Sequence, residues 1–332
     1  MFYRIPRPVR YSLLVVLAIA LITACQRTAP ESNPVRFGAT RQDCAIVQHL
    51  AGETCVPLHP QRVVALDSSA LELLLSLGIK PIGATLSDSF ALQLQQDLTE
   101  MTNIGQAGEP NLEKVLALKP DLILGWEYYE TLYPQISQIA PTLLFTMEHS
   151  GAWKETFLSV AQMLQKQAVA ESVLAAYSRR LEIFKQQMGD RLQQIQVSVV
   201  RVYPDQITLY LKDSFCGVIL QDAGLQRPDA QNISAPEAQQ QFGNAIQKSI
   251  SREVLSQADG DILFLWTGEN TLQANQQAQK ALAKLKADPL WQPLDAVQHN
   301  QIYQVPGYWI GIAPIAANLV IDDLFRHLTP SS

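Results

Sequence analysis

Apolar and polar positions alternate in blocks along most of the chain. Residues 62–66 (RVVAL) form an apolar run bounded by Pro60 and the polar Asp67, Ser68 and Ser69, which reads as a buried strand. Residues 70–77 follow as a helix, capped by Ser68 or Ser69 and ended by Gly78. Residues 81–85 read as the next strand, 111–118 as a helix with Glu113 in its first turn, and 120–125 as another strand. A weaker helix and strand pair, 136–139 and 142–145, completes this half. Strand alternating with helix at such spacing predicts βαβ units and a mostly parallel sheet.

From 153 to 188 the pattern changes. Apolar residues at Phe157, Val160, Ala161 and Leu164, then at Val173, Leu174, Tyr177, Leu181 and Phe184, recur at helical spacing, with 165–170 as a place where the helix divides. Strand-like runs resume at 197–202, 207–210, 261–265 and 301–305, before a closing helix at 315–328. The fold class is therefore α/β, with two Rossmann-like lobes on mostly parallel central sheets, at 41–150 and 193–330, either side of a helical segment at 151–192. No phosphate-cradling glycine motif follows any strand, so nothing supports nucleotide binding.

The first residues are an address. Arg4, Arg7 and Arg10 precede an uncharged apolar run at 11–22, the order of a secretory signal, and the run is short for a membrane span. It ends in Leu21-Ile22-Thr23-Ala24-Cys25, which resembles the bacterial lipobox. That resemblance makes 1–24 a signal peptide and Cys25 the lipidated first residue of the mature chain; an uncleaved anchor and an ordinary signal peptide are the other readings. Residues 25–40 are rich in Pro, Ser, Thr and Asn without an apolar period, as a flexible tether is. An exported domain permits a disulfide. Cys44 and Cys55 bridge if a hairpin turn centres near His49 and Leu50, and are misplaced if Gly52 is the turn. Cys216 reads as a small buried residue.

Charge and composition narrow the chemistry. The 332 residues carry 25 Lys+Arg against 31 Asp+Glu, and loss of 1–24 takes the net charge from −6 to −9. Such a chain, without a basic run, lacks the footprint of a nucleic-acid binder. A composition of 47% hydrophobic and 17% charged residues is that of a globular protein. His49, His59, His149, His299 and His327 show no metal-ligand spacing, so no directly bound metal and no cofactor are expected. No G-x-S-x-G elbow is present, and Ser214 and Ser251 read as a turn residue and a helix cap.

Several blocks resemble one family. Residues 60–66 through 72–83 (PQRVVAL, ELLLSLGIKPIG), then Asn103-Ile104-Gly105, Pro110-Asn111-Leu112-Glu113 and 117–123, then 250–255 with 259–263, and Tyr308-Trp309-Ile310-Gly311 with Ala313-Pro314, are similar in order to periplasmic solute-binding proteins for ferric siderophores and vitamin B12. The resemblance implies two lobes joined by one long backbone helix, with the ligand in the cleft between them. It implies a monomeric binder without catalytic residues, which captures a ferric siderophore and hands it to an ABC-type permease. It also implies that Glu113 and Glu253 meet the permease; read alone, each is an acid favourably placed in the first turn of a helix.

A cleft for a bulky chelate needs aromatic walls and a cation. Trp126, Tyr128, Tyr203, Trp266, Tyr308 and Trp309 stand at the carboxyl ends of predicted strands, where open α/β sheets bind ligands. Arg201 is the favoured cation, because a charge near the end of an apolar strand needs a partner; the resemblance adds that this arginine, with Tyr203, faces the ligand. Tyr210 and Arg227 are secondary candidates. Cobalamin or haem binding on the same fold, an exported enzyme acting on iron chelates, and a scaffolding lipoprotein are the rival readings.

Overall fold

The computed structural model describes residues 43–86, 98–106, 108–268 and 272–329. The signal peptide, Cys25 and the tether lie outside the described residues. The described chain opens with a hairpin, β1 (Cys44–His49) and β2 (Gly52–Pro57), in which His49 pairs with Gly52 around the turn residues Leu50 and Ala51. Gly52 has φ +121°, which suits glycine at the turn's exit. The turn centre lies one residue beyond the centre that sets Cys44 and Cys55 opposite each other. They are instead diagonal neighbours on one face, with Cα atoms 5.5 Å apart, and they form a disulfide.

His49 fixes this hairpin to the first sheet. Its Nδ1 accepts from the amide of Leu144 at 3.3 Å, and its Nε2 lies 2.8 Å from Thr54 Oγ1, which donates to the carbonyl of Thr142. Burial pushes its pKa down to about 4, so the ring is neutral at physiological pH with Nδ1 as the acceptor.

The first sheet has the order β5-β4-β3-β8-β9 and is parallel throughout: β3 (Val63–Ala65), β4 (Gly83–Ala84), β5 (Thr102–Asn103), β8 (Leu122–Trp126) and β9 (Thr142–Phe145). The short pair β6 (Gly105–Gln106) and β7 (Glu109–Pro110) stands beside it. Helix α1 (Ser68–Ser76) follows β3 and is capped by Asp67 rather than by Ser68 or Ser69. Asp67 is the cap because its two oxygens do two jobs. Oδ1 accepts from the amide of Ala70 at 2.8 Å and Oδ2 from that of Trp126 at 3.0 Å, tying the start of the helix to the end of β8. Burial pushes this carboxyl up to about 6. Helix α2 (Leu112–Ala117) starts at Asn111, whose Oδ1 accepts from the amide of Lys114.

The helical segment divides into α3 (Trp153–Met163) and α4 (Gln167–Met188), and Gln165 at φ +56° makes the break. The 22-residue α4 buries Tyr177, Leu181, Phe184 and Met188, one stripe at helical spacing.

The second sheet has the order β12-β11-β10-β13-β14, formed by β10 (Val197–Val202), β11 (Ile207–Tyr210), β12 (Gln247–Ile250), β13 (Ile262–Trp266) and β14 (Ile302–Gln304). Strand β11 runs antiparallel to both neighbours, whereas β10, β13 and β14 are parallel. Alternate residues of β10 enter two cores. Val197 and Val199 pack with helices α5 (Phe215–Asp222) and α8 (Pro314–Leu328), and Val200 and Val202 pack toward α7 (Leu272–Lys286). The fold is thus two α/β lobes with a cleft between them. A buried hydrogen bond crosses the joint: Glu72 of α1 accepts from the amide of Ala316 in the first turn of α8 at 2.8 Å. Burial raises the pKa of Glu72 to about 7.

Candidate ligand-binding site

Arg201 is the next-to-last residue of β10, beside Trp266 in the parallel register and opposite Thr208 in the antiparallel one. Its guanidinium carbon is 3.8 Å from the ring centroid of Tyr203 and 3.7 Å from that of Trp266. The planar cation lies between two aromatic rings, an arrangement that holds a partly desolvated charge. Nη1 donates to the Tyr203 hydroxyl and Nη2 to the carbonyl of Gly268, both at 2.7 Å. The Tyr210 hydroxyl is also hydrogen-bonded to Arg201, and burial raises the pKa of this phenol. Arg201, Tyr203, Tyr210 and Trp266 therefore converge at the carboxyl end of one sheet.

Gly268 belongs to the same cluster. A Cβ there would lie 2.5 Å from the Trp266 indole, so the ring folds over Gly268 only because that position lacks a side chain. Thr267 is buried and its hydroxyl accepts from Gln279 at 2.5 Å and Gln304 at 3.4 Å, which fixes the exit of β13. Neither residue stood out in the sequence. A glycine two positions after a strand-end tryptophan was the signal available.

The first lobe carries the second aromatic group. Trp126 ends β8; its ring is 6.5 Å from Tyr128, at an interplanar angle of 28°, and 5.5 Å from Phe145 at the end of β9. Tyr128 is 49% exposed, while Tyr129 is buried and donates to the carbonyl of Leu66 at 2.6 Å. Phe145 is buried and backs Trp126 from the core side.

Three candidates lie elsewhere. Tyr308 and Trp309 are interior: both donate to Asp323 Oδ2, at 2.7 and 2.9 Å, and Trp309 packs 4.2 Å from Phe264 with none of its surface exposed. Their turn folds back under α8, so they form core and not cleft wall. Arg227 is also buried; its Nη2 donates to the carbonyl of Tyr210 and to Gln231 Oε1, and burial lowers its pKa to about 10. It braces Tyr210 from behind. Gln231 in turn accepts from the amide of Val199 and donates to Ser198, completing β10 where β11 has ended.

Glu113 is exposed in the first turn of α2. Glu253 is exposed in a 3-10 turn after Ser251, and a hydrogen bond with that serine lowers its pKa. Cys216 is buried in α5. Among the described residues, no group of three or more His, Cys, Asp or Glu is arranged to hold a metal ion. A cavity of about 560 Å³ opens between the ends of β10–β12 and α7, lined in part by Tyr203, Ile207, Ile250, Arg252, Lys280 and Lys284.

An arginine held between aromatic rings thus stands at the carboxyl edge of one sheet of a two-lobed α/β frame. The chain belongs to the periplasmic binding protein family, whose model matches residues 63–308. It is 32% identical over 323 residues to the probable siderophore-binding lipoprotein YfiY of Bacillus subtilis, covering 93% of this chain and 94% of that one. It is 30% identical over 278 residues to the achromobactin-binding periplasmic protein of Dickeya dadantii, covering 80% and 86%. The structure is similar to that of Staphylococcus aureus SirA complexed with staphyloferrin B, with a TM-score of 0.71 and 26% identity over 85% of this chain and 98% of the other. These relatives are named as binding proteins, and their names agree with a location outside the cytoplasm.

Proposed function

We propose that the protein captures a ferric siderophore outside the cytoplasmic membrane and delivers it to an ABC-type permease for iron uptake. The observation that carries this reading is Arg201, clamped between Tyr203 and Trp266 at the carboxyl edge of the second sheet. The aromatic pair of Trp126 and Tyr128 at the carboxyl edge of the first sheet supports it. The names of the relatives supply the ligand class. The chelate arrives with its iron already enclosed, so the site needs hydrogen bonds and apolar walls rather than metal ligands.

In this reading Cys25 carries a lipid that tethers a monomer to the membrane, Glu113 and Glu253 present charge to the permease, and the chelate leaves unchanged. The test is uptake of radioactive iron as its chelate by cells lacking the chromosomal copy and carrying either the native chain or none. Restored uptake by the native chain supports the reading, and equal uptake with and without it contradicts it.

A further inference from the structure

Strand β10 turns a different face to each of its two cores, and the cavity beside α7 lies on the face that Arg201 does not occupy. Successive side chains of a strand point to opposite sides of its sheet. Val197 and Val199 pack with α5 and α8, and Tyr210 and Trp266 belong to that same core. Arg201 continues this series at two-residue spacing and meets Trp266 there. Val200, Val202, Ile207 and Ile250 pack on the other side, with Leu285 of α7. The cavity of about 560 Å³ opens on this second side. Among the described residues, neither Arg201, Tyr210 and Trp266 nor any part of the first lobe lines it. Tyr203, just past the end of β10, is the wall that it shares with the Arg201 cluster.

The walls are of two kinds. The floor is apolar, made by Val202, Ile207, Ile250, Ala281 and Leu285. The rim is charged. Lys280 and Lys284 stand exposed one turn apart on α7, and among the described residues neither forms an ion pair. Like charges at that helical spacing repel, so an anion lodged beside both offsets a cost that the helix otherwise carries. Arg252 is a third cation, already held by Asp288 at 3.2 Å. Asp205 is the other acid at the rim. With Arg252 and Asp288 neutralising each other, two lysines against one aspartate leave a single net positive charge above an apolar floor. The volume is that of a small-molecule pocket.

We propose that this cavity is a second binding site, separate from the chelate cleft, for an organic monoanion with an apolar body, such as an aromatic sulfonate or carboxylate. The apolar body lies on Ile207, Ile250 and Leu285, and the anionic group meets Lys280 and Lys284 at the rim. The site does not depend on what fills the cleft, because Arg201 and the cavity lie on opposite faces of one sheet.

The experiment is calorimetric titration of the purified full-length chain in detergent, with the detergent blank subtracted, using naphthalene-2-sulfonate and its uncharged analogue naphthalene-2-sulfonamide. One bound sulfonate per chain, at least fivefold tighter than the sulfonamide, is expected. Lys280→Gln with Lys284→Gln should weaken the sulfonate at least fivefold and leave the sulfonamide unchanged; both side chains are exposed on α7, so the fold tolerates their loss of charge. Ala281→Phe, which fills the floor, should weaken both probes. Sulfonate binding that is lost in Arg201→Ala and kept in the lysine variant would place the anion in the cleft and overturn the second site. Equal affinity for the two probes, or saturable binding of neither, would also overturn it and leave the apolar floor to a protein partner.

Discussion

Arg201 is held by Tyr203, Trp266, Gly268 and Tyr210, and the arrangement makes measurable predictions. Replacing it by alanine removes the charge and leaves Tyr203 and Trp266 without the plate between them; affinity for the ferric chelate falls at least tenfold, about 1.4 kcal/mol, in a fluorescence titration. Arg201→Lys recovers less than half of that loss in free energy, because a flexible ammonium cannot stack flat between rings. Gly268→Ala displaces the indole that meets its Cβ, and weakens binding while Arg201 is intact. Full affinity in Gly268→Ala would show that the Trp266 position is immaterial. That the arginine would find partners near its strand's end was legible, because an uncompensated charge in an apolar strand demands them. Tyr308 and Trp309 were misread because the rule sees only the strand end. Their partner Asp323 lies on α8, and no local pattern announces that the turn folds under it.

At the level of elements, the strand and helix alternation was readable since buried parallel strands are short apolar runs. Caps were less so: Asp67 prevailed over the adjacent serines because it also receives an amide from β8, a contact made across the lobe. The hairpin register placed Cys44 and Cys55 diagonally, a geometry that spacing alone left open. Replacing both with alanine should lower unfolding free energy by roughly 2–3 kcal/mol, read from denaturant midpoints, as expected for a short closed loop. Glu72 offers a pH test. Its folded pKa of about 7 lies above the ordinary value of 4.5, so the folded state holds the proton more tightly. Stability from this group is present at low pH and is lost as pH rises from about 4.5 to 7. Glu72→Gln should therefore gain on the native chain by roughly 2 kcal/mol more at pH 7.5 than at pH 5. His49, with its pKa lowered to about 4, acts in the opposite sense below 6.5, so the comparison is between variants and not along one curve. A constant difference across that range would contradict the buried, protonated carboxyl at the lobe joint.

For the whole molecule, two lobes and a helical segment follow from periodicity, while the joint between them does not, because it is made by contacts far apart in sequence such as Glu72 with α8. Glu113 and Glu253 are both exposed at helix or turn starts, one on each lobe. Glu113→Ala with Glu253→Ala should leave chelate affinity intact and abolish iron uptake by cells; unchanged uptake would remove the docking role. The most direct test of the account is recovery of the ligand. The full-length chain is saturated in turn with ferric hydroxamate, catecholate and citrate chelates, separated from free chelate, and denatured, and the released molecule is analysed by mass spectrometry. The account predicts one intact ferric chelate per chain, bound at submicromolar concentration. Absence of retained chelate, or release of a cleaved one, would contradict it.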